Sequence, residues 1–341
     1  MTVRVPETTP LTGPPPPESR ALAGHEADPR RAGSPRAAGD RVFTASVTVL
    51  AITVLAVPAL MLLSLLWASR HAIARFGPGF VTSSRWDPVH EQFGAWPFVC
   101  GTVISSLLAL CLAVPVSLGL AIFLSDLAPK RVRRPLGFVV ELLAAIPSVV
   151  YGFWGIFVLV PFLRSHVEPF LAAHLGFLPL FRGEPLGFGM LAAGIILAIM
   201  IVPTITSIAR EVLSAVPDAH REAAVGLGAT PWDVVRVAVL PAARSGIVGA
   251  VILGLNRALG ETMAVTMVIG NRPKVPASLF DPAYTMASVL ANEFAEADSD
   301  AYLSALSAIA LLLLGVALLM NLFARWLVNV TKQRIRGEVT P

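Results

Sequence analysis

Charge is scarce in this chain. Only 14% of its 341 residues are Asp, Glu, Lys or Arg, and 55% are hydrophobic; an ordinary soluble domain carries about 25% charged residues. A surface so poor in charge excludes a soluble enzyme and a disordered chain, and leaves a membrane protein. Cysteine is nearly absent. Cys100 and Cys111 share one apolar stretch and supply neither a disulfide framework nor a zinc site, so they read as small buried hydrophobes. No segment reads G-x-x-x-x-G-K-[ST], so the chain has no loop of its own to cradle nucleotide phosphates. None of the six His falls in an apolar run, which removes a His-based proton relay. There is no nucleophile beside a base and no cluster of metal ligands. Nothing therefore points to an enzyme, a cofactor or a metal.

What the chain does have is length of apolar sequence. Six runs, at about 42–67, 97–124, 136–163, 187–208, 247–269 and 301–327, are long enough as helices to cross ~30 Å of hydrocarbon. They predict an all-α membrane protein of six transmembrane helices, occupying residues 41–335. Pro115, Pro147 and Pro203 fall inside three of the runs, so neighbouring helices must re-satisfy the freed carbonyls. Residues 1–40 are different. Eight Pro, five Arg matched by five acids and no apolar face predict a disordered cytoplasmic tail. The run that follows is too long for a signal-peptide core and reads as a signal anchor and first span. Lys and Arg set the orientation. The tail, the second and fourth connections and the C-terminal end hold 18, and the other three connections hold 7. The positive-inside rule puts both termini in the cytoplasm. The net charge of +4 then records topology and calls for no nucleic-acid partner.

The fourth connection, residues 209–245, is far longer than a turn requires. Asp218 to Ala224 reads as a helix start with an acid in its first turn, and Gly226 and Gly228 break it. Thr230 then stands as an N-cap with Pro231 at the first helical position, and Leu240-Pro241 predicts a stop before the fifth span. Two short helices exposing small residues beside charges are either a solvated hairpin or a surface for close approach by a partner.

Arg257 and Glu261 lie inside the fifth run, within Leu255-Asn256-Arg257-Ala258-Leu259-Gly260-Glu261-Thr262. A lone charge at the bilayer centre costs ~2.5–3.5 kcal/mol even on the lenient insertion scale. Four residues apart on one helix, the two share a face and can pair. The pair either fixes helix register or serves a passing anion, with Glu261 holding Arg257 and the guanidinium fork offered to an oxyanion.

Glu222-Ala223-Ala224, then Gly228, then Leu240-Pro241, resembles the EAA loop of ABC-importer permeases. Arg257-Ala-Leu-Gly-Glu261-Thr-Met-Ala-Val, with Ile146-Pro-Ser-Val-Val-Tyr151-Gly and Ala291-Asn-Glu293-Phe-Ala-Glu296, is similar to the PstC-type permease family of phosphate-specific ABC importers. The resemblance covers about residues 42–335. It implies the type I ABC importer permease fold in a cell inner membrane. It also implies a second permease subunit in a heterodimer, a dimer of ATP-binding subunits docked on Glu222, Ala223, Ala224, Gly228 and Pro241, and an external phosphate-binding protein. Arg257, Glu261, Asn256, Thr262 and Tyr151 would line the translocation path. A permease for sulfate or molybdate, a channel or secondary transporter working without ATP, and a signalling subunit stay as alternatives.

Weaker signals remain. Thr204, Thr206 and Ser207 either donate to an oxyanion or bond their own backbone. Glu141 reads as an interfacial acid near Arg133 and Arg134. Trp67, Trp154 and Trp326 read as interfacial anchors. The acids of the fifth connection, including Asp281, Glu293 and Glu296, would repel a free anion and suggest a docking face.

Overall fold

The computed structural model describes residues 35–337, with side chains over 39–326. Residues 1–34, the bulk of the expected tail, lie outside the described residues. The chain divides into two units, residues 1–61 and 62–341. In the first, the described backbone is helical from Pro35 and, beyond Arg41, free of charged residues, and Ser46, Thr48 and Thr53 donate to the carbonyls four residues back. Residues 35–40, which composition assigned to the tail, are the opening turns of this helix, α1 (Pro35–Phe76).

The second unit holds the rest. A small antiparallel hairpin, β1 (Trp86–Asp87) and β2 (Gln92–Phe93), precedes α2 (Trp96–Ile122), which runs on through a π-helical turn at Phe123–Leu127. Then come α3 (Lys130–Ala145), α4 (Ser148–Leu175), α5 (Met190–Ser214), α6 (Asp218–Gly226), α7 (Pro231–Gly260), α8 (Met263–Val268), α9 (Met286–Glu293) and α10 (Asp300–Gly337). Among the described residues, six helices, including stretches of α1 and α10, are long and apolar enough to span a membrane.

Both boundaries of the third span and both of the fifth differ from the sequence reading. The third span begins after Pro147, at Ser148, and ends at Leu175. Residues 130–145 form a separate amphipathic helix, with a basic start and exposed Phe138, Val139, Leu142 and Leu143. Apolar content alone does not separate a spanning helix from an interfacial one. The fifth span begins at Pro231, because Leu240-Pro241 does not stop the helix. A π-helical segment at Val234–Val239 precedes Pro241, and the wider turn accepts a residue without an N–H. The same span ends early, at Gly260, and residues 263–268 form a short helix of their own.

α5 is the buried centre. Ile196, Met200, Ile201, Ile205 and Leu213 are fully buried. α2 lies against it through small residues, Ala109 and Ala113 among them, and through hydroxyls. Ser117 Oγ donates to the Val202 carbonyl (3.3 Å), and Thr206, fully buried, donates to the Ser117 carbonyl (3.4 Å). Thr206 is thus committed to helix packing, and Ser207 donates to Thr204 on its own helix. Ser304 ties α10 to the end of α1, accepting from the Ala72 N–H (3.0 Å) and donating to the Ala68 carbonyl (2.8 Å).

Glu168, fully buried on α4, accepts from the Gly187 N–H (2.9 Å), while its Oε1 has no partner among the described residues. Gly187 has φ +78° and no room for a Cβ beside the Val160 carbonyl, so the carboxylate secures the turn into α5. Glu168→Gln keeps an acceptor and removes a costly buried charge. It is expected to leave the melting temperature unchanged or higher. Glu168→Ala strands the Gly187 N–H and should lower stability by ~1–3 kcal/mol. A melt of both variants beside wild type checks the contrast.

Candidate functional site

Two helix breaks meet in the second unit. The first is at Ile146-Pro147. Proline has no N–H, so the Leu143 carbonyl loses its helical partner four residues on. The Tyr151 hydroxyl takes that place, donating to the Leu143 carbonyl at 2.8 Å. Tyr151, expected on the path, is buried and used as a cap across the break. The second break is Gly260-Glu261-Thr262, between α7 and α8. α8 packs on the first turns of α4, where Gly152 is flush with Met267 and Ala264 and Gly155 with Val268. A side chain at Gly152 would push the two broken helices apart.

This break removes the geometry expected of the charge pair. Glu261 is no longer one turn along a continuous helix from Arg257. Its Oε1 accepts from the Ala264 N–H (3.3 Å) and so serves the start of α8. Thr262 is the N-cap residue of α8, and its hydroxyl donates to the Gly260 carbonyl (3.3 Å). Arg257 is exposed, makes no hydrogen bond or ion pair among the described residues, and lies within electrostatic reach of the Tyr151 phenol. Asn256, one residue earlier, turns elsewhere: its Oδ1 accepts from Asn321 Nδ2 on α10 (2.7 Å), and it lines a 580 Å³ cleft between α5, α7 and α10. The five residues expected together therefore separate. Arg257, Tyr151, Glu261 and Thr262 surround the paired breaks, and Asn256 faces the last helix.

The fourth connection has its own geometry. Gly228, at φ +85°, donates its N–H to the Val225 carbonyl (2.9 Å), and Ala229 donates to the Ala224 carbonyl (3.1 Å). This is a Schellman motif, and it explains why a Gly must stand four residues after Ala224. Thr230 and Asp233 then form a reciprocal capping box that starts α7. Glu222, Ala223 and Pro241 are exposed, as are Val225, Leu227 and Trp232. Arg221 faces inward. Its guanidinium donates to Asp126 Oδ1 (3.0 Å) after α2, to the Leu213 carbonyl (2.8 Å) in α5 and to the Val216 carbonyl. One side chain thus ties α6 to the ends of two spanning helices.

The arrangement matches a known family. Residues 113–337 fit the family described as binding-protein-dependent transport system inner membrane component. The chain belongs to this family. It is 47% identical over 292 residues to the phosphate transport system permease protein PstC of Mesorhizobium japonicum, covering 84% of this chain and 89% of that one. It is 47% identical over 277 residues to the PstC of Haemophilus influenzae, covering 80% and 88%. Among solved structures it is similar to a bacterial alginate ABC transporter in complex with an alginate-bound periplasmic protein. The TM-score is 0.55, at 17% identity, over 84% of this chain and 93% of that one, which is a likeness of fold. The chain is a multi-pass inner-membrane permease subunit with the ABC importer fold, a transport component rather than an enzyme. Such a permease works with other permease, ATPase and binding-protein components.

Some of the permease's features carry no signal in residue spacing. Arg221 is one charge among several in a polar loop, and only the fold brings it to Asp126. Val225, Leu227 and Trp232 are visible as apolar residues in an otherwise polar turn, and they form the exposed rim of α6. At the other end of α2, ~40 Å away along the helix, Arg85, Arg272 and Lys274 line a 560 Å³ cleft. Two acids nearby are turned to structural use. Glu293 Oε2 accepts from Trp86 Nε1 (2.8 Å) and the Tyr302 hydroxyl (2.6 Å), and Asp281 Oδ2 accepts from the N–H groups of Ala277 and Ser278. Three cations thus stand around one cleft at that end, with Asp87 beside them.

Proposed function

We propose that this permease forms one half of a pathway for inorganic phosphate, driven into the cytoplasm by ATP hydrolysis on separate subunits. The observation that carries the reading is Arg257, a permanently charged guanidinium with no bonded partner among the described residues, set at the break of an apolar span. A planar fork of donors suits a tetrahedral oxyanion, and leaving it unpaired in a spanning helix is costly unless it serves the cargo. The PstC names of relatives at 47% identity support the same anion. Both termini are assigned to the cytoplasm by the positive-inside count, which sets the coupling loop on that side.

In this reading the partners are a second permease subunit, a pair of ATP-binding subunits seated on Glu222 to Gly228, and an external phosphate-binding protein. Closure of the ATPase pair moves α6, and Arg221 passes that motion to the ends of α2 and α5. The membrane domain over 41–335 and the pathway roles of Arg257, Glu261 and Thr262 belong to the same proposal, with Tyr151 pinning the joint beside them and Asn256 tying α7 to α10. Uptake of labelled phosphate by the assembled complex, competed with sulfate and with molybdate, tests it. Inhibition by unlabelled phosphate alone supports phosphate, and stronger inhibition by either rival reassigns the cargo.

Gly228 supplies a second check. Space around it is open, so substitution meets only the left-handed backbone. Gly228→Val should cost ~1–2 kcal/mol locally and misdirect the exit from α6. ATPase activity stimulated by loaded binding protein is expected to fall severalfold while the complex still purifies intact.

A further inference from the structure

We propose that the pocket between α3 and α5 binds a phosphate group, that of an anionic phospholipid headgroup. The pocket measures 340 Å³, and its polar lining is Arg133, Arg134, Glu141, Arg210 and Ser214. Three guanidinium groups against one carboxylate leave a net charge of +2. The one ion pair present, Arg210 Nη2 to Glu141 Oε1, is long at 3.7 Å, and the Glu141 side chain is 63% exposed. Arg133 donates weakly from Nη2 to the Ala128 carbonyl (3.5 Å), while its Nε is buried with no partner among the described residues. Arg134 is exposed, with no bond among the described residues. Donors thus converge where acceptors are missing, and a buried unpaired donor is costly to keep. Gly137 completes the shape: a Cβ there would meet the Arg210 guanidinium, so that group lies against the α3 backbone.

The position favours a lipid as the source of the phosphate. α3 is basic at its start and then exposes Phe138, Val139, Leu142 and Leu143. That is the pattern of a helix lying at a membrane interface, with cations at headgroup depth and apolar residues at acyl depth. The pocket opens where the two meet, on the end of the bundle that carries α6. An anchored lipid there would cross-brace α3 and α5 beside the Asp126–Arg221 tie. The inference does not depend on which anion the permease carries.

The test uses the purified complex of permease pair and ATPase in detergent, with native mass spectrometry of retained lipid. Phosphatidylglycerol should be retained and phosphatidylcholine should not. Arg134→Gln removes an exposed side chain without disturbing any described bond, and should cut phosphatidylglycerol retention about tenfold, the equivalent of one charge-assisted hydrogen bond. Arg133→Gln should act likewise, and Arg133→Lys should restore part of the loss. Displacement of the lipid by millimolar inorganic phosphate, absent in Arg134→Gln, would keep the site and make the free ion an equal occupant. Equal retention of the two lipids, or equal phosphatidylglycerol retention by wild type and both Gln variants, overturns the proposal.

Discussion

Arg257→Gln is expected to reduce phosphate uptake by the assembled complex by about 10–100-fold, the loss of one charge-assisted hydrogen bond at ~1.5–3 kcal/mol. Assembly and melting temperature should change little. Arg257 holds no partner among the described residues, so its truncation breaks no tie within the chain. Arg257→Lys should fall between, since an ammonium keeps the charge and loses the fork. Glu261→Gln should be mild by comparison, because its visible bond is a single acceptance from the Ala264 N–H, which an amide oxygen can also make. Had the two formed a register-fixing pair, both neutral variants would destabilise the protein together. Normal uptake by Arg257→Gln would falsify the pathway role.

Arg221 carries the second large effect. Arg221→Ala is expected to remove most of the ATPase stimulation that loaded binding protein produces, leaving the basal rate in place. The side chain is 21% exposed and its partner Asp126 is 11% exposed, so the pair works largely out of water. Losing it also removes the Arg221 donor from the Val216 carbonyl and one of the donors to the Leu213 carbonyl. A double-mutant cycle with Asp126→Asn separates the tie from general damage. If the ion pair transmits the stroke, each single variant loses stimulation and the double loses little more. Strictly additive losses, or full stimulation in either single variant, count against transmission through this contact.

Much of the fold was legible because apolar length is a robust signal. Six runs above the hydrocarbon thickness became six spanning helices, and the Thr230 cap was readable from residue type alone. Boundaries were less so, for identifiable reasons. Residues 136–146 are as apolar as a span, and only Pro147 with a hydroxyl substituting for its missing N–H divides them from it. Leu240-Pro241 looked like a stop because a π turn, which leaves no mark in the sequence, absorbs the proline. The Arg257–Glu261 spacing promised a pair on a continuous helix, and Gly260 between them was the clue that the helix ends there. Arg221 and the arginine pocket were out of reach of any spacing rule, since Asp126 lies 95 residues from Arg221 and the pocket joins α3 to α5 across the whole third span.

The phenol of Tyr151 has a mechanical meaning. Ordinarily, swinging one helical segment against the next tears backbone bonds in sequence. Here the joint at Ile146-Pro147 is fastened by one removable pin, whose release costs ~1 kcal/mol. Tyr151→Phe would leave that joint unlatched with its packing intact. α3 and the span beyond it would then be free to swivel about that joint, the freedom that the pathway proposed above would draw on beside the Gly260 break.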